Sequence, residues 1–175
     1  MSEKESENGN SKPHLIFAYG TLKQGFPNYA LMQDLITKND AVFIGTFSTR
    51  QPYPLVCGPH GIPYLINIPG SGHLVTGELY SVSRRALVRL DEFEGVSLGY
   101  YERLPVMVVS DGDGGATVET EKEAEAYFGH RKFGERLWKK NGEVGMREYG
   151  EKEAGDYVRK VDRPDKRNTI LDQFL

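Results

Sequence analysis

Two long strand patterns constrain the fold of this chain more than any other feature. Residues 101–110 and 121–128 are each long enough for a complete strand, and residues 111–115 (DGDGG) supply a glycine-rich turn between them. Neighbouring strands joined in this way pair antiparallel. Shorter strand patterns lie in residues 41–56, 62–68 and 73–80, where we expect Leu74, Leu79 and Tyr80 close to the core. The sequence therefore predicts a mostly antiparallel sheet.

Two helical patterns interrupt these strands. Pro27 and Asn28 can begin a helix that carries Leu31, Met32, Leu35 and Ile36 at helical spacing. Ser83 has the character of a helix N-cap, and Gly95 can end that second helix. Strands interleaved with two helices predict an α+β protein whose antiparallel sheet can curl into a small β-barrel with flanking helices.

Composition sets the domain organisation and the compartment. The chain has 175 residues, a net charge of −3 and one cysteine, Cys57. We expect a disordered polar tail over residues 1–13, one domain over residues 14–130, and a charged, partly helical extension over residues 131–175. The single cysteine, the lack of a long apolar run and the mixed charges predict a cytoplasmic protein that binds neither membrane nor nucleic acid. These features do not determine the oligomeric state, for which we expect a monomer.

The first candidate site is the run FAYGTLK at residues 17–23. Its apolar first half is typical of a buried strand, and Gly20 permits either a positive φ or a close approach of another group. A strand that breaks into a turn can leave successive backbone N–H groups free to hold a carboxylate or an oxyanion. The same pattern is also typical of an ordinary tight turn.

The second candidate site is Glu94, at the end of the second predicted helix. At about 100° per residue, Ala86, Leu87, Leu90 and Phe93 define the buried face, and Glu94 lies about 40° from Leu90, inside that face. Burial and the helix C-terminus both favour the protonated acid, so we expect a raised pKa and a role as general base. The alternatives are that Glu94 points outward or pairs with Arg103.

Other signals predict packing and no cofactor. The four histidines show no metal-ligand spacing, and the glycines around residues 20 and 70 lack the phosphate-loop and dinucleotide patterns. We therefore expect neither metal nor cofactor. Cys57 is interpreted as a small, half-buried residue. An apolar stripe over residues 146–161, which includes Tyr149, Tyr157 and Val161, predicts a docking or peripheral helix.

The turn and the carboxylate together carry a resemblance to a known family. The ordered segments FAYGTLK (17–23), PYPLV (52–56), PGSG (69–72), GELY (77–80) and LDEFE (90–94) resemble the gamma-glutamylcyclotransferase family. Within it the chain is most similar to gamma-glutamylamine cyclotransferases and the plant avirulence-induced proteins. The resemblance implies a small β-barrel with flanking helices. It also implies a substrate-binding loop formed by Tyr19, Gly20, Thr21 and Leu22, and it assigns Glu94 as the catalytic glutamate.

The reaction implied by the resemblance is an intramolecular aminolysis. The α-amino nitrogen of a γ-glutamyl group attacks its own γ-carbonyl carbon, which releases 5-oxoproline and a free amine, with Glu94 moving the protons. Tyr101 and Arg103 match a Tyr-x-Arg pattern that shapes the pocket. Tyr64 stands where amine-specific members carry Trp. Two alternatives stay open: a cyclotransferase acting on γ-glutamyl amino acids or glutathione, and a non-catalytic module that binds a γ-glutamyl metabolite or a partner protein.

Overall fold

The computed structural model describes residues 12–110, 120–163 and 170–171. The tail predicted over residues 1–13 lies almost entirely outside that part of the chain, and so does the glycine-rich turn predicted at residues 111–115.

The described strands form one mixed sheet that closes on itself. The strands are β1 (His14–Ala18), β2 (Ala41–Thr49), β3 (Leu55–Cys57), β4 (Pro63–Leu65), β5 (Thr76–Val82), β6 (Tyr101–Ser110) and β7 (Glu121–Gly129). Their order is β1-β5-β2-β6-β7-β4-β3. A parallel pairing of Ile16 with Glu125 joins β1 to β7, so that five strands complete a barrel. Apart from this contact and the parallel contact between β4 and β7, the described pairings are antiparallel. The predicted α+β barrel is confirmed.

Four α-helices whose bounds lie within the described residues flank the barrel. They are α1 (Tyr29–Thr37), α2 (Arg84–Phe93), α3 (Arg131–Lys140) and α4 (Glu151–Gly155). The signals that predicted α2 are present in its structure, since the Ser83 hydroxyl accepts a hydrogen bond from the Ala86 N–H at 3.1 Å. Gly95 has a φ of +65°, which suits glycine and stops the helix at Glu94. Among the described helices, none is long and apolar enough to cross a bilayer.

The core has two parts because successive strand residues face opposite sides of the sheet. In β1, Ile16 and Ala18 join a cluster that packs α1, α2 and α3 against the strands. Phe17 belongs with Leu79 and Phe128 to the second cluster, which is built mainly from strand residues. The first candidate site lies in the turn that directly follows β1.

Two expectations about packing are wrong, and one contribution to the core was missed. Leu74 is 47% exposed, because it lies in the irregular segment before β5. Helix α3 lies in the extension that was expected to be partly helical, but the sequence analysis did not identify its buried side chains Phe133, Leu137 and Trp138 as part of the core. The stripe over residues 146–161 is not one helix, since its only α-helical part is α4.

The C-terminal stripe docks without being helical throughout. Tyr149 is fully buried and its hydroxyl donates to the Gly61 carbonyl at 2.8 Å, whereas Val161 is mostly exposed. We refer to residues 146–163 as the C-terminal strap. Its position across the loop before β4 places its last residues beside the candidate site.

Candidate active site

A cavity of about 180 Å³ lies where β1, the end of α2 and the C-terminal strap meet. Both candidate sites from the sequence contribute to it. Its lining includes the four loop residues Tyr19, Gly20, Thr21 and Leu22 together with Glu94. Residues more than 70 positions apart in the chain therefore share one pocket, which is the arrangement that the resemblance implies.

The loop after β1 is a tight turn held by specific contacts. The Lys23 N–H donates to the Gly20 carbonyl at 3.2 Å, and the Asn28 N–H donates to the Thr21 carbonyl at 2.8 Å. Asn28 also donates from Nδ2 to Thr21 Oγ1 at 2.9 Å. Gly20 is required by a close approach rather than by a positive φ, because a Cβ there would lie 2.7 Å from Cγ of Pro63.

This turn leaves three backbone donors unused. The N–H groups of Gly20, Thr21 and Leu22 donate no hydrogen bond to any residue that the structure describes. Buried or half-buried N–H groups are normally paired, so three successive free donors beside a cavity suit a bound oxygen atom. The geometry therefore favours an anion or carbonyl site over an ordinary tight turn.

Lys23 braces the loop instead of facing a substrate. Its side chain is only 7% exposed, and Nζ donates to the Tyr149 carbonyl at 2.7 Å, which ties the loop to the C-terminal strap. Burial lowers the pKa of Lys23 from its usual value, an effect that nearby carboxylates such as Glu148 and Glu78 partly oppose. Lys23 also lies over the Phe26 ring, 4.3 Å from its centroid.

Glu94 presents an unpaired carboxylate to the cavity. It is the C-cap of α2, and its side chain forms no hydrogen bond or ion pair with any described residue. Burial, followed by the nearby negative charge of Asp91, raises the pKa of Glu94 to about 8. The C-terminal end of a helix also disfavours negative charge. This environment keeps a proton available near neutral pH, as a general acid–base group requires.

Arg103 does not pair with Glu94, which removes one alternative from the sequence analysis. Its guanidinium donates to both carboxylate oxygens of Asp91, at 2.8 and 3.1 Å, and to Glu125 at 2.7 Å. The Tyr127 hydroxyl donates to the same Asp91 carboxylate at 2.7 Å. This network joins the last turn of α2 to β6 and β7, and it leaves the adjacent Glu94 without a cation.

Sequence reasoning missed Asp91 and Tyr127 as parts of the site. The Tyr-x-Arg pattern at Tyr101 and Arg103 was the available signal, but it did not identify the carboxylate that Arg103 binds. Phe93 was expected on the buried face and is instead 44% exposed, although it borders the cavity. Its position at the end of α2, just before the chain turns at Gly95, leaves it without a covering element.

Buried tyrosines form the inner wall. The Tyr19 hydroxyl donates to the Tyr127 carbonyl at 2.6 Å and accepts from the Leu65 N–H at 3.2 Å. The Tyr101 hydroxyl donates to the Pro63 carbonyl at 2.8 Å. Burial raises the pKa of both phenols, so they stay neutral.

The fully buried Tyr64 differs from these tyrosines. Its ring stacks on Tyr101 with the centroids 5.0 Å apart. Burial raises the pKa of Tyr64. The Tyr101 hydroxyl donates to the Pro63 carbonyl, and the Tyr64 hydroxyl has no hydrogen-bond partner among the described residues. Its hydroxyl oxygen is shielded from solvent, although the residue contributes to the cavity lining.

Comparisons with known proteins identify the family of this chain. Residues 16–159 match the family described as "Gamma-glutamyl cyclotransferase, AIG2-like". An Arabidopsis thaliana protein, whose name assigns it provisionally to the gamma-glutamylcyclotransferases, is 47% identical over 157 residues, which are 86% of this chain and 84% of that protein. Human gamma-glutamylaminecyclotransferase is 44% identical over 104 residues, 58% of this chain and 67% of that protein.

A solved structure has the same fold. The crystal structure of an AIG2-like protein from Mus musculus aligns with a TM-score of 0.63 at 32% identity, covering 78% of this chain and 88% of that one. The similarity therefore extends over most of both chains.

Proposed function

Because this chain belongs to the gamma-glutamyl cyclotransferase family of AIG2-like proteins, we propose that it converts a γ-glutamyl amide into 5-oxoproline and a free amine, with Glu94 as the proton-transfer group. The observation that carries the proposal is the placement of an unpaired carboxylate and a loop with free N–H groups on one cavity.

The proposed reaction balances with one acid–base group. The α-amino nitrogen of the glutamyl group forms a bond to its own γ-carbonyl carbon, and the bond from that carbon to the leaving nitrogen breaks. Glu94 accepts the proton that the attacking amine must lose and returns one to the leaving nitrogen. The raised pKa of Glu94, about 8, is nearer to that of the substrate ammonium group than the pKa of an ordinary carboxyl would be, so less free energy is needed to move the proton between them.

The loop after β1 can orient the glutamyl group of the substrate. The N–H groups of Gly20, Thr21 and Leu22 can bind oxygen atoms of the glutamyl group, and the aromatic wall formed by Tyr19 and Tyr101 limits the conformers that fit. Ring closure within one molecule depends mainly on holding the nucleophile against the carbonyl, so this confinement supports the reaction without any further chemical group.

The setting of the reaction is also part of the proposal. We expect a monomer that acts on a small molecule in the cytoplasm and binds no nucleic acid. One half-buried cysteine, Cys57, suits a reducing compartment, and burial raises the pKa of its thiol to about 11, which disfavours the reactive thiolate.

The test is release of 5-oxoproline from a panel of γ-glutamyl compounds. Glu94→Gln should lower turnover by about two to four orders of magnitude, as expected for loss of a positioned proton-transfer group. Glu92→Gln is the matched control, since it removes an exposed carboxylate of the same helix that also borders the cavity, and it should have little effect. Turnover by Glu94→Gln at the wild-type rate would exclude Glu94 from the mechanism. Binding of γ-glutamyl compounds with no 5-oxoproline from the wild type would instead indicate a binding module.

A further inference from the structure

The C-terminal strap is held firmly against the rest of the cavity. The Val158 N–H donates to the His60 carbonyl at 2.9 Å, and the Met146 N–H donates to the Leu55 carbonyl at 2.9 Å. The strap also packs directly on Gly61, where a Cβ would lie 2.6 Å from the carbonyl carbon of Asp156. These contacts fix the backbone of residues 156–158 beside the cavity.

Three polar side chains of the strap line that cavity: Tyr157, Lys160 and Arg163. The Tyr157 hydroxyl accepts from Asn28 Nδ2 at 3.0 Å and from Arg163 Nη2 at 3.4 Å. With both bonds directed to its oxygen, the proton of Tyr157 has no acceptor among the described residues. Arg163 is positioned by a bond from Nε to the Val158 carbonyl at 3.0 Å and by its place over the Tyr157 ring.

The two cations have no anionic partner in the part of the chain that the structure describes. Neither Lys160 nor Arg163 forms an ion pair there. They do not compensate the charge of Glu94 either, since burial and Asp91 raise its pKa and no cation opposes them. Two positive charges and a free phenolic proton on one cavity wall are the donors that a carboxylate accepts.

The position of these residues indicates which part of a substrate they meet. Lys160 is exposed, and Tyr157 and Arg163 are half-buried. Because Tyr19 and Leu22 are buried, the three strap side chains lie nearer the open side of the cavity than these two loop residues do. If the glutamyl group binds at the inner side beside Glu94, its leaving group extends toward the strap.

We propose that Tyr157, Lys160 and Arg163 bind a carboxylate on the leaving group, so that this chain prefers γ-glutamyl amides of amino acids over those of neutral amines. This inference rests on the proposed function. The strap selects among leaving groups by binding them, while the loop after β1 and Glu94 act on the glutamyl part that all such substrates share.

A matched pair of substrates tests the inference. γ-Glutamylglycine and γ-glutamylglycinamide differ only in that a carboxylate is replaced by a neutral amide. The ratio of their kcat/KM values should favour γ-glutamylglycine in the wild type and should decrease as salt is added, because salt screens charges near the surface. Lys160→Gln and Arg163→Gln should each lower this ratio by about threefold to tenfold, as expected for a partly exposed charge contact.

Comparison of variants with the wild type removes the intrinsic difference in reactivity between the two substrates. Arg159→Gln is the control, because it removes a strap cation that does not line the cavity, and it should leave the ratio unchanged. Lys160→Gln removes a charge without removing a hydrogen bond that holds the strap, since the Lys160 side chain has no hydrogen bond to a described residue. The rate with γ-glutamylglycinamide shows whether each variant still catalyses the reaction on a substrate that lacks the carboxylate.

The possible results separate the two proposals. An unchanged ratio in both Lys160→Gln and Arg163→Gln, with 5-oxoproline still formed, would overturn the strap inference and leave the proposed function standing. Absence of 5-oxoproline from every γ-glutamyl compound would overturn the proposed function and the inference that rests on it.

Discussion

Replacing Glu94 by Gln should stabilise the protein at alkaline pH even though it removes activity. Burial and Asp91 raise the pKa of Glu94 from 4.5 to about 8, so the folded protein binds this proton more tightly than the unfolded chain does. The stability contributed by the protonated group is therefore fully present below about pH 4.5 and is lost as the pH rises through about 8. Gln stays neutral throughout and does not suffer this loss.

The size of the effect follows from the same pKa. At about 1.4 kcal/mol per pKa unit, linkage gives a ceiling of about 4 kcal/mol for the stability lost between pH 5 and pH 8.5. Glu94 is half-buried and borders a cavity, so solvent screening should reduce this to about 2 kcal/mol. For a domain of this size, that corresponds to about 4–8 °C in Tm.

Urea and thermal unfolding of the wild type and Glu94→Gln at pH 5 and pH 8.5 would measure this pH-dependent difference in stability. The variant should gain about 2 kcal/mol over the wild type between the two pH values, by the linkage argument above. Glu92→Gln, on the exposed side of the same helix, should show no such pH-dependent gain. A Glu94→Gln difference that is the same at both pH values would refute the raised pKa.

Two further substitutions test the supports of the site. Gly20→Ala places a Cβ 2.7 Å from the Pro63 ring, so it should lower the free energy of unfolding by about 1–3 kcal/mol and reduce activity. The control is Gly155→Ala, whose new Cβ meets nothing within 4 Å and which should be nearly neutral in chemical denaturation and in the 5-oxoproline assay. Tyr149→Phe leaves the Gly61 carbonyl without its 2.8 Å hydrogen bond and should lower stability by about 1–2 kcal/mol in urea unfolding; an unchanged midpoint would mean that this bond does not hold the strap.

The direction of Glu94 could be predicted because local signals determine helix α2. Ser83 fixes where the helix begins and Gly95 fixes where it ends, so the angular position of each residue between them follows from the helical period. Phe93 shows where this reasoning fails. Periodicity gives the direction of a side chain, but only the tertiary structure determines whether a neighbouring element covers it.

The remaining errors have a similar origin. The sequence analysis gave Asp91 no role, because nothing local indicated that Arg103 and Tyr127, from two different strands, would bind it. The apolar stripe of the strap was interpreted as one helix, but apolar residues three or four apart can also anchor an irregular segment. Gly150 and Gly155 limit the helix to one short stretch, and Tyr149 is held by a carbonyl far away in sequence.

The most direct test of the central claim is a titration of the Glu94 side-chain carboxyl carbon by ¹³C NMR, with the resonance assigned by its absence in Glu94→Gln. The account predicts a pKa near 8, because the carboxylate is desolvated, lies near Asp91 and has no cationic partner among the described residues. A value near that of free glutamate, about 4.3, would show a solvated or paired carboxylate and would contradict the assignment of Glu94 as the proton-transfer group.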